Sequence, residues 1–352
     1  MVPSFQLPIG SSLLLAVFFI IFRRGSSYSG FMSSSKERPS KLYPSFFEEL
    51  PSLSGKKVVV TGASRGLGYV TALSCAKKGA EVIMLCRSSN AAEQALAALE
   101  EACIGPSPVL VECDLLDFGS VRHAAAMVRE RSSNGIDVLC CNAGIMLQED
   151  LVSRDGFDIT MSTNVLSHFL LTRELIPELE HAANLRGEAR IVSMSSGSGF
   201  GTPGLNPIYF CKQGGNLGGK RASYDRYHQS KLGNLIFTSA LDKRLRARKS
   251  NIKALACTPG VCGTDMFVHA TTVMRGKPSP RNSVPSTEDG SLAQLKCIAD
   301  PSVQSGELWG PRMGMGGLPV KVDLAPPTVL VGDDEEKIFW NLCEEAVGEF
   351  KL

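Results

Sequence analysis

From Lys57 onward, apolar β-prone runs alternate with longer stretches of helical periodicity. The runs are Val58–Thr61, Val82–Cys86, Val109–Glu112, Val138–Asn142, Ile191–Ser193 and Ile252–Cys257. Helical stretches fall at Leu67–Lys78, Ala91–Cys103, Val121–Arg131, Phe157–Leu179 and Tyr227–Arg246. Strands that read as continuous apolar runs are buried on both faces. Their alternation with helices predicts an α/β domain, a single doubly wound parallel sheet with helices on both faces. Phe267 to Pro285 breaks the rhythm with Pro, Gly and Ser and reads as a mobile loop or lid, and an amphipathic helix at Asp333–Phe350 closes the domain.

The N-terminus follows another pattern. Met1 to Phe22 carries no charge, Leu13 to Phe22 is unbroken apolar, and Arg23-Arg24 follow at once. A cleaved secretory signal places positive charge before its apolar run, so a membrane anchor is favoured over a signal. The positive-inside tendency puts the bulk of the chain on the cytosolic face. The expected location is the endoplasmic reticulum membrane with the catalytic domain toward the cytosol. The Ser-rich stretch after residue 24 keeps a plastid or mitochondrial address as the alternative. The organisation is thus 1–24 hydrophobic anchor or signal, 25–54 linker with a short docking helix around Phe46–Leu50, and 55–352 a single domain.

Composition changes little. The chain has 352 residues, 43% hydrophobic and 20% charged, with a net charge of +2 and scattered basic residues, so nucleic acid is not an expected partner. Eleven cysteines without paired CxxC spacing give no metal site and read as reduced, small apolar side chains.

The first strand runs into Thr61-Gly62-Ala63-Ser64-Arg65-Gly66-Leu67-Gly68 and then a helix. Glycines there permit a tight turn and close backbone approach to a pyrophosphate at a helix N-terminus. Gly62, Ser64, Arg65, Gly66, Leu67 and Gly68 are therefore candidate nucleotide contacts. The second strand ends in Arg87 rather than a carboxylate, so Arg65 and Arg87 are placed to pair with a 2′-phosphate, which points to NADP(H). Asp114 and Leu115 follow the third strand, where a side chain can meet adenine. Asn142, Ala143 and Gly144 follow the fourth, where small residues let the chain pass the cofactor.

Tyr227 and Lys231 stand four residues apart on one helix face. Reducing a carbonyl requires a proton for the new alkoxide. A free tyrosine titrates near about 10, and an adjacent ammonium is expected to lower that value. Ser195 and Ser196 both follow the fifth strand, and alternation alone does not separate them.

In order, the glycine loop, Asn142-Ala143-Gly144, Asn164, Ser196 and Tyr227-x-x-x-Lys231 resemble the short-chain dehydrogenase/reductase family over about Lys56 to Met266. The resemblance implies a Rossmann-like domain transferring hydride to or from nicotinamide. It makes Tyr227 the acid/base and Lys231 a ribose contact that tunes Tyr227. It chooses Ser196 to orient the substrate oxygen and assigns Asn164 a water in a proton relay. Pro259, Gly260, Val261 and Thr264 look like the family's loop over the nicotinamide. Thr163–Thr172 and Ser230–Phe237 are similar to the retinol dehydrogenase group, whose relatives include WW-domain oxidoreductases and light-dependent protochlorophyllide reductases. The 30-residue insert between Ser196 and Tyr227 agrees with that group, and its Gly214-Gly215 and Gly218-Gly219 predict a flexible pocket wall. Trp309 and Trp340 are the only tryptophans and do not precede the domain, against the WW-domain relatives.

The leading expectation is an NADP(H)-dependent oxidoreductase acting on a small lipophilic alcohol or carbonyl, attached to a membrane through its N-terminal segment, with a homodimer as the expected assembly. A light-dependent double-bond reductase and a catalytically silent NADP(H)-binding scaffold are the alternatives. His168 and His228 read as packed helix residues before proton donors, and Met266, Phe267 and Met313–Met315 as core before pocket.

Overall fold

The computed structural model describes residues 36–201, 203–324, 329 and 331–352. The apolar run at 13–22 expected to reach a membrane lies outside the described residues. Among the described residues, no helix is long and apolar enough to cross a membrane.

Eight strands form one sheet: β1 (Lys57–Thr61), β2 (Glu81–Cys86), β3 (Val109–Glu112), β4 (Val138–Cys141), β5 (Ala189–Met194), β6 (Ile252–Cys257), β7 (Leu308–Pro311) and β8 (Pro319–Val322). Their order is β3-β2-β1-β4-β5-β6-β7-β8, all parallel except β8. Successive residues of a strand face opposite sides, so β1 serves two cores. Val58 and Val60 pack on one face with α2 (Gly66–Lys77) and α3 (Asn90–Ala102). Val59 packs on the other with α4 (Phe118–Glu130), α5 (Ser167–Arg186) and α6 (Ser223–Ala247). The doubly wound sheet is thus the one the sequence predicts.

Three features depart from the sequence reading. The predicted helix at Phe157–Leu179 is interrupted: Asp158 caps one turn (Ile159–Met161), a π-helical turn follows (Ser162–Leu166), and only then does α5 begin. Half of the predicted loop at Phe267–Pro285 is helix α7 (Asp265–Arg275), capped by Thr264 at its start and left-handed Gly276 at its end. Beyond it lie α8 (Leu292–Ala299), β7 and β8, none of which the periodicity revealed. β7 and β8 pair with Pro311 opposite Pro319, at the sheet edge where proline is tolerated. Helix α9 (Asp333–Val347) closes the second core. At the front, α1 (Tyr43–Glu49) lies against the domain, its first N–H groups held by Asp289 and its Tyr43 hydroxyl by Ser74.

Candidate active site

Strand order reverses between β1 and β4, and in such sheets ligands bind beyond the strand C-termini at that point. Thr61 joins the two strands there. Its Oγ1 accepts from Asn142 N (2.9 Å) and Ala143 N (3.0 Å), and its carbonyl accepts from Asn142 Nδ2 (2.9 Å). The glycine loop follows, with Gly62 at φ +67° and Gly66 at φ +59°. A Cβ on Gly68 would lie 2.4 Å from both Gly62 O and Asn142 Nδ2, so no side chain fits.

Above this floor opens a cleft of ≈ 780 Å³ lined by Gly62, Ser64, Arg65, Gly66, Leu67, Gly68, Arg87, Asp114, Leu115, Asn142, Ala143, Gly144 and Thr264, together with Met146, Gln148, Met266 and His269. The shape and the bare backbone floor fit a dinucleotide. Arg65 and Arg87 are exposed at its rim, and Arg65 lies 3.6 Å from Asp265. Pro259, Gly260 and Val261 stand after β6 outside the lining, where Val261 N donates to Met315 O (3.0 Å).

The chemical groups lie deeper. Tyr227 and Lys231 are both buried, on α6. Lys231 Nζ donates to Met194 O (3.0 Å) and sits 5.7 Å from the Tyr227 ring centre. Burial pushes the Tyr227 phenol up to about 12, against a smaller downward pull from its hydrogen bond with Ser196. Burial also pulls Lys231 down to about 8. The expected lowering of Tyr227 by Lys231 is therefore overturned: desolvation penalises both charged forms, and the phenol is an acid held protonated.

The two serines separate by environment. Ser195 is buried and its Oγ donates to Lys231 O (2.8 Å), which fixes the helix to the sheet. Ser196 is half-buried, meets the Tyr227 hydroxyl, and its Oγ accepts from Ser198 N (3.2 Å).

Asn164 occupies the π turn. Its Oδ1 accepts from Ile145 N (2.8 Å), while Nδ2 donates to Ile145 O (3.0 Å) and Ser230 Oγ (2.9 Å). Both amide hydrogens are engaged in structure. A water in a relay would have to use the main-chain carbonyl or the second lone pair of Oδ1. A Cβ placed on Gly144 would lie 3.3 Å from Asn164 Oδ1 and 3.4 Å from Lys231 Nζ, so both groups border that glycine.

His168 is the packed, hydrogen-bonded helix residue that the sequence suggests, whereas Met146, Leu147, Ala270 and Arg226 are not singled out there. His168 links the halves of the site: Nδ1 meets Asn164 O (3.2 Å) and Nε2 meets Thr61 Oγ1 (2.8 Å). Burial holds it near 4, against the raising effect of the Asn164 carbonyl, so the ring is neutral. Donation from Nδ1–H to the carbonyl then leaves Nε2 to accept from Thr61. Met146, Leu147 and Ala270 form an apolar cluster with Tyr227, flanked by Tyr224, Met266 and Val273. Met266, Ala270 and Val273 share one face of α7, a spacing that capping at Thr264 and Gly276 could have revealed. Leu147 holds φ +54°, a strained backbone for a bulky residue in the apolar cluster with Tyr227. Arg226, fully buried beside Tyr227, left no signal in the sequence.

The family model for short chain dehydrogenases matches residues 56–274, and the chain belongs to that family. An uncharacterized oxidoreductase of Schizosaccharomyces pombe is 34% identical over 235 residues, 64% of this chain and 66% of that protein. Retinol dehydrogenase 13 of Mus musculus is 32% identical over 221 residues, 62% of each protein. The alignments thus span just under two thirds of these curated relatives' own lengths. A crystal structure of an uncharacterized protein from Mycobacterium Paratuberculosis, 31% identical, covers 87% of this chain and 98% of that one with a TM-score of 0.68.

Proposed function

We propose that the protein is an NADP(H)-dependent oxidoreductase that moves hydride between nicotinamide and a lipophilic alcohol or carbonyl. The observation that carries this reading is the pairing of the Tyr227 hydroxyl with Ser196 under an apolar cluster, with Lys231 one helical turn away. The dinucleotide, when bound, supplies or accepts the hydride. Tyr227, its phenol favoured by burial, donates its proton to the carbonyl oxygen as negative charge develops there; in the reverse direction its phenolate takes the proton of the alcohol. Ser196 holds the same oxygen by its hydroxyl. Lys231 borders Gly144 on the cleft floor, where its ammonium can meet a ribose hydroxyl and restore charge balance around Tyr227.

Arg65 and Arg87, with no carboxylate ending β2, support NADP(H) over NAD(H). Met146, Leu147, Met266, Ala270 and Val273 around Tyr227 support a lipophilic substrate. Retinol dehydrogenase 13 is named for a substrate of that kind. Attachment through residues 13–22 to the endoplasmic reticulum membrane would bring the site to lipid-dissolved substrate, with a homodimer as the proposed assembly.

The test is oxidation of NADPH and NADH by the purified chain across lipophilic aldehydes and ketones. NADPH is expected to exceed NADH in kcat/KM by about tenfold or more, the scale of a charge-assisted pair. Comparable efficiencies would remove the 2′-phosphate reading. NADPH binding without turnover would return the chain to a silent scaffold.

A further inference from the structure

The glycine-rich insert after Ser196 is held by side-chain hydrogen bonds at several points. Side chains flanking Tyr227 reach its described part at Ser198, Pro203, Gly204, Asn206, Leu217 and Gly219. His228 meets Ser198 O through Nδ1 and Pro203 O through Nε2 (2.9 Å). Gln229 accepts from Asn206 N and donates to Gly204 O, both at 2.9 Å. Arg226 donates from one terminal nitrogen to Leu217 O (3.0 Å) and Gly219 O (2.7 Å). Beside Arg226, whose terminal nitrogen lies 3.9 Å from it, the Asp150 carboxylate accepts from Gly215 N (3.0 Å), Leu217 N (2.6 Å) and Gly219 N (2.9 Å).

Arg226 also reaches beyond the insert. Its other terminal nitrogen donates to Gln148 O (2.9 Å), and its Nε lies 3.1 Å from Asp158 Oδ2, both residues of that pair being fully buried. Asp158 caps the turn leading to Asn164, accepting from Thr160 N (2.9 Å) and Met161 N (3.0 Å). Gln148 lines the cleft and follows strained Leu147. One guanidinium therefore joins the insert, the exit from β4 and the Asn164 turn, one residue from Tyr227. The guanidinium donates to three carbonyls and faces Asp158 as an ion pair, a set that the planar five-donor fork of arginine suits.

We propose that Arg226, acting with Asp150 and Gln229, is a specificity-positioning residue that holds the insert as a rigid wall at a fixed distance from Tyr227. The wall sets the length and bulk of the alcohol or carbonyl that reaches the hydroxyl. This rests on the redox reading above. Arg226 touches neither substrate nor cofactor and acts through the wall. Asp150 binds the backbone N–H groups of the insert directly and lies 3.9 Å from Arg226, whereas the Asp158 cap hydrogen-bonds Thr160 and Met161.

Full-length R226M, R226K and D150N would be compared with the natural chain, using NADPH with all-trans-retinal and with hexanal. In R226M and D150N the retinal-to-hexanal ratio of kcat/KM is expected to fall about tenfold, as the loosened wall stops gripping the longer substrate. D150N loses it through KM with kcat within about twofold, whereas R226M also loses kcat because the Asn164 turn is released. R226K keeps a charge near Asp158 without the fork and falls between. A general structural defect would lower both substrates together; a ratio within about twofold of the natural chain in R226M and D150N overturns the proposal. If the natural chain turns over neither probe, the redox reading has failed, and amide exchange decides the clasp alone. Exchange at 213–219 is expected to accelerate about tenfold in R226M and D150N with β1 unchanged. Unchanged exchange at 213–219 overturns the clasp.

Discussion

The cofactor half and the chemical half of this site are built on opposite plans. The cofactor half is an open cleft with a bare backbone floor at Gly62, Gly66 and Gly68 and the arginine side chains of Arg65 and Arg87 exposed at its rim. The chemical half is buried and cross-braced, with Tyr227, Lys231 and Asn164 inside and Arg226, His228 and Gln229 beside Tyr227 tied to other segments. A phosphate-rich ligand needs access and oriented N–H groups. A proton donor needs a fixed position and a controlled pKa. His168 is where the two plans meet, since it spans Thr61 of the first and Asn164 of the second.

The strongest way to break this contrast is Tyr227→Phe. It is expected to lower kcat by about 10³-fold while NADP(H) affinity, read by titration, stays within about twofold. Joint loss of both would mean the halves are not separable.

His168 gives the next largest effect. Its folded value near 4 lies below the ordinary value of about 6.5, so the unfolded chain binds more protons between them. Stability contributed by the neutral ring is present above that window and is lost as pH falls through it, at up to about 1.4 kcal/mol per unit. Urea midpoints of His168→Asn should show a shallower loss than the natural chain over this range. Parallel slopes would take His168 out of the acid transition.

Gly68→Ala forces a Cβ onto Gly62 O and Asn142 Nδ2 at 2.4 Å, and the backbone must shift. Overpacking of this kind costs about 1–3 kcal/mol, read as a lower Tm, with nucleotide affinity falling in step. An unchanged Tm and unchanged NADPH binding would show that the floor has slack. The smallest effect is expected at the rim. Arg65→Ser with Arg87→Ser should reduce the preference for NADPH over NADH by about tenfold without changing Tm, because exposed charges contribute little to stability.

The same contrast explains what the sequence disclosed. Gly62-x-x-x-Gly66-x-Gly68 and Asn142-Ala143-Gly144 are short strings whose backbone demands are local, so order and spacing located them. The sheet was legible through β6 because its strands are uninterrupted apolar runs. β7 and β8 were not, since each is four residues long, contains proline, and exists only through pairing with distant chain. The α7 helix was read as a loop because Gly276, Pro278 and Pro280 outweighed Thr264 as a cap. The insert was read as flexible from its glycines, since nothing local shows that Arg226, His228 and Gln229 hold it. The sign of the Tyr227 shift was misjudged for a related reason: proximity to Lys231 is visible in spacing, whereas burial of both groups is a property of the packed fold.

The central claim is that hydride passes to a carbonyl carbon while Tyr227 protonates its oxygen. The most direct test follows label from NADPH deuterated at the nicotinamide C4 into the product of all-trans-retinal, by mass spectrometry. The account predicts one deuterium on the carbinol carbon with the natural chain and almost no labelled alcohol with Tyr227→Phe. Deuterium on a former double-bond carbon, or equal labelling by the Tyr227→Phe variant, would contradict it.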